Sequence, residues 1–339
     1  MQTKLFSSLQ IRGLTLKNRI MMAPMCQYSA IDGIANNWHL VHLGARAAGG
    51  VGLIIAEATG VVSEGRISNG CLALTNQAQC DALKPMTAFI KSQQSIPAIQ
   101  LAHSGRKGQG DWEPYAPSPL AFSEQYKRPR ELQGREIYKL VEAFAHSATL
   151  ALEAGFEVIE AHMAHGYLMH QFLSPLTNER SDEFGGCLEN RMKFPLLVAQ
   201  ALRDVWPKNL PVFVRISATD WMEGGWDLEQ SLVLCQALKK IGIDFIDVSS
   251  GGTVPNALVP AAPNFQVPFA KEIKQKVGIL TGAVGLITKA GQAEEILKNQ
   301  EADAILLGRE LLREPYWPIK AAQELKERVP FPKQYERAY

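Results

Sequence analysis

FEVIEAHMAHGY, residues 156–167, is the stretch that decides the fold. Its apolar run, Phe156–His165, suits a strand buried on both faces, and it closes on two imidazoles before Gly166 breaks it. Seven other runs share the pattern: Arg19–Cys26, Val51–Thr59, Ile96–His103, Pro211–Ser217, Asp244–Ser250, Ile279–Gly285 and Ala302–Arg309. Most lack polar alternation. Helical periodicity follows most of them, over 38–48, 78–93, 136–154, 188–205, 228–241, 268–276, 289–299 and 310–326. Thr288 is a candidate cap for one of these helices, and Gly155 and Gly242 follow two others. A strand-helix unit repeated eight times reads as an α/β fold, a single (β/α)8 TIM barrel, whose chemistry sits at the carboxyl ends of its strands. Those ends carry Cys26, Gln100, His162, His165, Arg215 and Gly308-Arg309.

Residues 1–339 fit one such domain. Leu5–Lys17 alternates weakly around Gly13 and is expected to form a hairpin that closes the bottom of the barrel. The extended loop after strand three, Ser104–Arg135, is rich in Gly, Pro and charge, as lids and binding elements are. A second loop is expected over Gly166–Leu188. The tail, residues 330–339, is aromatic and charged and is expected to dock.

A formal net charge of +1 argues against nucleic acid or an anionic membrane as partner. No run approaches the roughly 20 apolar residues of a membrane helix, and the first residues hold no signal-peptide core. Five scattered cysteines form neither a disulfide framework nor a CxxC set, so a cytoplasmic location is expected.

His162, His165 and Tyr167 can together hold an oxygen and supply a proton, because an unperturbed tyrosine is protonated at neutral pH. The same histidines also read as packed core groups. A metal reading also exists, with Glu57, Glu160 and Asp220 as carboxylates nearby in sequence. Small residues after strands seven and eight, at Gly285 and Gly308, let backbone amides approach an anion, and Arg309 adds a charge for phosphate. Their alternative is a tight turn with a solvated arginine. Cys26 is either a small hydrophobe or a cofactor contact. Gln100 and Arg215 suit a heterocycle carrying acceptors, or Arg215 pairs with a carboxylate such as Glu160. Lys107 is a surface charge or a further cofactor contact.

Taken together, the chain resembles the Old Yellow Enzyme family of flavin-dependent ene-reductases along nearly its whole length, and most closely its thermophilic-like subclass, which includes bacterial xenobiotic reductases. The resemblance is carried by Ala23-Pro24-Met25-Cys26-Gln27-Tyr28, Gln100-Leu101-Ala102-His103-Ser104-Gly105-Arg106-Lys107 and His162-Met163-Ala164-His165-Gly166-Tyr167-Leu168. Further matches are Asn178 to Gly186, Glu189-Asn190-Arg191, Gly308-Arg309 and Gln334-Tyr335-Glu336-Arg337.

That resemblance implies bound FMN, with NADPH or NADH as reductant. It puts Ala23, Pro24, Met25, Cys26, Ala58, Gln100 and Arg215 against the isoalloxazine, and Lys107 as a further flavin contact. Gly285, Gly308 and Arg309 would hold the phosphate. His162 and His165 would bind the carbonyl oxygen of an α,β-unsaturated substrate, or its nitro counterpart, with Tyr28 lining the pocket and Tyr167 donating the proton. Arg337 would reach a neighbouring subunit's site in a homodimer or homotetramer. Trp221 and Trp226 are expected to shape the pocket.

Overall fold

The computed structural model describes residues 3–338. A short antiparallel hairpin, β1 (Leu9–Ile11) and β2 (Leu14–Leu16), precedes the first barrel strand, β3 (Ile20–Met22). There follow α1 (Asn37–Ala48), β4 (Leu53–Gly60), α2 (Gln77–Ser92) and β5 (Ile96–Ala102). The long loop after β5 contains a small strand pair, β6 (Tyr115–Ala116) and β7 (Arg130–Glu131). The chain continues through α3 (Gly134–Glu153), β8 (Val158–Met163), α4 (Leu168–Leu173), α5 (Leu188–Val205) and β9 (Val212–Ser217). It ends with α6 (Leu228–Ile241), β10 (Phe245–Ser249), α7 (Val267–Val277), β11 (Leu280–Ala283), α8 (Ala290–Lys298), β12 (Ala304–Leu307), α9 (Arg309–Arg313) and α10 (Trp317–Glu324). The eight strands β3, β4, β5, β8, β9, β10, β11 and β12 pair in parallel and close on themselves, so every expected barrel strand is present.

Four details depart from the sequence reading. The expected helix over 310–326 is two, because Pro315 interrupts it and Pro318 restarts it at the first turn of α10. The expected loop after Gly166 begins with a helical turn, α4. Lys289 rather than Thr288 caps α8, with the Gln292 side chain accepting from the cap's backbone N–H. Cys26 lies beyond the end of β3, which stops at Met22.

The interior follows from period-two alternation along strands whose neighbours are in register. Ala98, Val158, Phe213 and Phe245 point inward at the lower end, packed with Met21, Leu53, Ile55 and Leu306. Leu9, Ile11 and Leu16 of the hairpin join this same cluster, and Gly13 N–H donates to the Asn209 carbonyl at 2.9 Å. The hairpin is the barrel's floor, as expected. One step of two residues up each strand come Gln100, Glu160, Arg215 and Asp247, and one step further come Ala102, His162, Ser217 and Ser249. A bulge at Glu57 resets the phase of β4, so that Ala58 pairs with Gln100. The outward residues of the same strands pack against the helices in a second, larger cluster.

Phe213 and Phe245 stack inside the floor with ring centroids 4.5 Å apart. Phe213→Ala should cost about 3–5 kcal/mol of unfolding free energy, measured by denaturant melts. A loss below about 1 kcal/mol would show that the ring is not a packing element there.

Candidate active site

The turn from β8 into α4 places the three residues that the sequence singles out. His165 and Gly166 both take positive φ, +57° and +69°. Only glycine fits at 166, since a Cβ there would lie 2.2 Å from the Gly252 carbonyl oxygen. Gly166 N–H then donates to His170 Nδ1 at 2.9 Å. This sharp reversal brings the His162 ring within 5.2 Å of His165 and 5.0 Å of Tyr167, centroid to centroid, both edge to face. The sequence-predicted trio is one cluster.

Burial decides its protonation. Both imidazoles are pushed well below the usual histidine range, first by burial and then by the Arg215 charge. Burial pushes the Tyr167 hydroxyl well up. At neutral pH the site therefore offers two neutral rings and one phenol that keeps its proton. His165 Nε2 lies 2.7 Å from Ser249 Oγ, whereas His162 Nδ1 is buried with no hydrogen-bond partner among the described residues. Among the described residues, neither ring groups with two further His, Cys or carboxylate donors within 4.8 Å.

Below the trio lies a buried polar layer. Gln100 Nε2 donates to Glu160 Oε1 at 2.8 Å, which leaves the Gln100 carbonyl oxygen for another donor. Arg215 pairs with Asp247 rather than with Glu160: its Nε is 2.8 Å from Asp247 Oδ2, though without hydrogen-bond alignment. The proximity is the firmer fact, since the two residues are also register partners on β9 and β10. Burial and the Asp247 charge push the Glu160 carboxyl up to about 8.

A cavity of about 390 Å³ opens beside this layer, lined by Ala23, Pro24, Met25, Arg215, Gly285, Thr288, Gly308, Arg309 and Arg313. Its size is that of a small-molecule site. The lining combines apolar surface and small residues with three guanidinium groups. A flat heterocycle joined to a phosphate suits that combination. A Cβ at Gly308 would meet only Met25 Sδ, at 3.7 Å, so the backbone there is open to a ligand. Ala58 on β4 and Gln100 on β5 are register partners on the two strands that follow β3 round the barrel.

Other expected residues sit differently. Lys107 Nζ donates to the carbonyls of His165 (2.9 Å) and Gly252 (3.1 Å) and lies 4.9 Å from the Tyr167 ring centre. Burial, then Arg106, lowers its ammonium to about 8. It braces the β8 and β10 loops. Tyr28 is 59% exposed at the rim, with φ +52°. Trp221 packs edge-on against Phe269 and donates to Ser250 Oγ, whereas Trp226 is buried core, donating to Ser231 Oγ. Arg337 is exposed and, among the described residues, contacts no member of the site.

His170 escaped the sequence reading, and Asp220 entered it only as a carboxylate for a metal. His170 and Asp220 form a fully buried pair, Nε2 to Oδ1 at 3.1 Å, and Asp220 also accepts from Thr253, Ser174 and the Trp226 N–H. His170 is in turn the acceptor that holds Gly166. Only its place four residues after Gly166, on the first helical turn, hinted at this. Burial pushes the Asp220 carboxyl up, but His170 and the hydroxyl donors outweigh it and hold the group at about 2.

A family model described as "NADH:flavin oxidoreductase / NADH oxidase family" matches residues 4–328. The chain is 48% identical to the NADPH dehydrogenase of Geobacillus sp. (strain WCH70) over 341 residues, covering 100% of this chain and 99% of that one. Among solved structures it is similar to morphinone reductase in complex with tetrahydroNAD, with TM-score 0.82 and 28% identity over 98% of this chain and 93% of that one. It is also similar to an old yellow enzyme homologue from Zymomonas mobilis, with TM-score 0.82 and 27% identity over 97% and 94% of the two chains.

Asp220 ionises more readily folded than unfolded, at about 2 against 3.8, so its contribution is present above the unfolded value and is lost as pH falls through 2. The stability gap between wild type and Asp220→Asn should therefore narrow by about 2 kcal/mol from pH 5 to about pH 2. Urea melts across that range test it, and a gap that does not change with pH would deny the ion pair its role.

Proposed function

The chain belongs to the NADH:flavin oxidoreductase / NADH oxidase family, and from that premise we propose that it reduces the activated C=C bond of α,β-unsaturated carbonyl or nitro compounds. It is an FMN-dependent NADPH oxidoreductase of the Old Yellow Enzyme type. The observation that carries the proposal is the grouping of His162, His165 and Tyr167 at the barrel mouth, with ring centroids 5.0–5.2 Å apart.

Ala23, Pro24, Met25, Cys26, Ala58, Gln100 and Arg215 would hold the FMN ring, and Gly285, Gly308 and Arg309 its phosphate. Bound FMN, reduced by NADPH or NADH, supplies the hydride that the β-carbon of the substrate receives. His162 and His165 bind the substrate oxygen. The single proton of Ser249 Oγ has two acceptors, His165 Nε2 at 2.7 Å and Gln266 Oε1 at 3.4 Å. The shorter contact favours His165 Nε2, which leaves the ring's own hydrogen on Nδ1 for the oxygen. Two donors there stabilise the enolate-like charge that builds as the double bond is reduced. Tyr167, kept protonated by burial, gives its proton to the α-carbon. Lys107 serves the site by holding the His165 carbonyl. Tyr28 lines the open side.

The assembly extends the proposal. Arg337, exposed in the single chain, would complete a neighbouring subunit's site in a homodimer or homotetramer. The Tyr335 hydroxyl lies 3.1 Å from that of Tyr316, which anchors the tail just before Arg337. Its setting would be the cytoplasm.

An anaerobic visible spectrum tests the reaction. The flavin band should bleach with NADPH and return with 2-cyclohexenone; bleaching without return would discard enones as substrates. Tyr167→Phe should slow that return by roughly 100-fold or more while flavin content stays unchanged, and an undiminished rate would exclude Tyr167 as sole donor. Arg337→Ala should raise KM or weaken subunit association by analytical ultracentrifugation. No change in either would remove the tail from the site.

A further inference from the structure

Two cysteines from separate parts of the chain meet beside Glu57 of β4. The loop after β3 doubles back along residues 68–73, where the Ala30 N–H donates to the Gly70 carbonyl at 2.8 Å and the Ala73 N–H to the Gly33 carbonyl at 3.0 Å. The packing is close, since a Cβ on Gly70 would lie 2.6 Å from the Tyr28 carbonyl oxygen. Between these ties, Cys26 Sγ, Cys71 Sγ and a carboxylate oxygen of Glu57 all lie within 4.8 Å of one another. Ser68 Oγ is 3.5 Å from Cys71 Sγ. The remaining cysteines, Cys80, Cys187 and Cys235, are unpaired like these, and none is grouped with another thiol within that distance.

We propose that Cys26 and Cys71 are a peroxide-driven modification site that closes reversibly to an intrachain disulfide. A disulfide needs its sulfurs about 2.05 Å apart. Rotation about one Cα–Cβ bond moves a sulfur by roughly 3 Å, so a change of rotamer spans the gap while the flanking backbone bonds stay in place. Cys26 is partly exposed and Cys71 is buried, which sets the order of events.

One proton is shared across the Cys26–Cys71 hydrogen bond, and with that proton on Cys71 the Cys26 thiolate attacks one oxygen of hydrogen peroxide. The S–O bond forms, the O–O bond breaks, and the departing hydroxide takes a proton to become water. Cys71 thiolate then attacks the Cys26 sulfur. The S–S bond forms, the S–O bond breaks, and the second hydroxide leaves as water. Two thiols and one peroxide give one disulfide and two waters, with both electrons drawn from the sulfurs. The hydrogen bond from Cys26 and the contacts of Ser68 outweigh burial and bring the Cys71 thiol down to about 7, while Cys71, burial and Glu57 hold the Cys26 thiol up. The two sulfurs thus share one proton, and exposure rather than acidity selects Cys26 for peroxide.

Cys26 is also among the residues assigned to the FMN ring, so the test reads thiol chemistry rather than enone turnover, and the two proposals fail separately. FMN-loaded protein carrying Cys187→Ser, which removes the exposed thiol, is treated with one equivalent of hydrogen peroxide, alkylated and digested. Mass spectrometry should find Cys26 and Cys71 in one cross-linked peptide pair. The loss should be two of the four remaining thiols, restored by a dithiol reductant. Adding Cys71→Ser should abolish the cross-link and leave a Cys26 sulfenic acid trapped by dimedone. Full alkylation of both residues after peroxide would overturn the proposal, as would irreversible oxidation of Cys26 with Cys71 still free. Protection of both thiols that a chelator relieves would also overturn it, assigning the pair to a metal ion.

Discussion

Arg215 stands inside the barrel with its Nε 2.8 Å from Asp247 Oδ2, and this contact governs how the mouth above it can be polar. Alternation forces the layer to exist: Phe213 and Phe245 fill the floor, so the residues two further on must point into the same interior. An ion there is tolerable only with a counter-ion, since removing one partner of a buried pair typically costs 3–5 kcal/mol. Asp247 answers Arg215. Glu160 then has no cation of its own, and burial beside Asp247 keeps its proton on. The positive end is the one that lines the cavity, where a heterocycle carrying acceptors would meet it.

Above that layer, several charges that read as chemical serve the loops. Arg106 spends its guanidinium on the carbonyls of Leu120, Ala121 and Thr253, which pins the long loop after β5 to the loop after β10. Arg180 binds Asp182 and the carbonyls of Pro117 and Leu132, and Asn178 donates to the carbonyls of Phe172 and Phe184. The motifs spanning Asn178–Gly186 and Glu189–Arg191 are thus hydrogen-bond frames for irregular backbone, which must satisfy its carbonyls somewhere. A charged side chain that reaches several carbonyls does this at one stroke.

How much of this was legible in the sequence depends on the range of the interaction. The eight strands could be read because each announces itself locally, by branched apolar residues and a break. His162, His165 and Tyr167 could be read because their spacing and Gly166 lie within one segment. Asp247 could not, because a lone acid in the middle of an apolar run gains meaning only from its register against Arg215 on another strand. The same holds for Asp220, which meets His170 only after 50 residues of intervening fold bring them together. The helix over 310–326 was misjudged for a local reason: its periodicity outweighed Pro315 and Pro318, whereas backbone chemistry respects the prolines. Lys107 donates to the carbonyls of His165 and Gly252, contacts that its place after β5 does not announce in the sequence.

The charge balance also explains why the histidines suit an oxygen ligand better than a proton-transfer role. Burial, with Arg215 and Lys107 nearby, keeps both rings neutral. A neutral ring can donate one hydrogen bond without changing its own protonation state, so an oxygen held there meets fixed donors. On the proposed reaction, negative charge gathering on that oxygen would face the two cations that suppress the imidazolium forms. The proton would then have to come from a group that burial keeps protonated. Within the cluster of rings that group would be Tyr167, whose ring meets His162 edge to face.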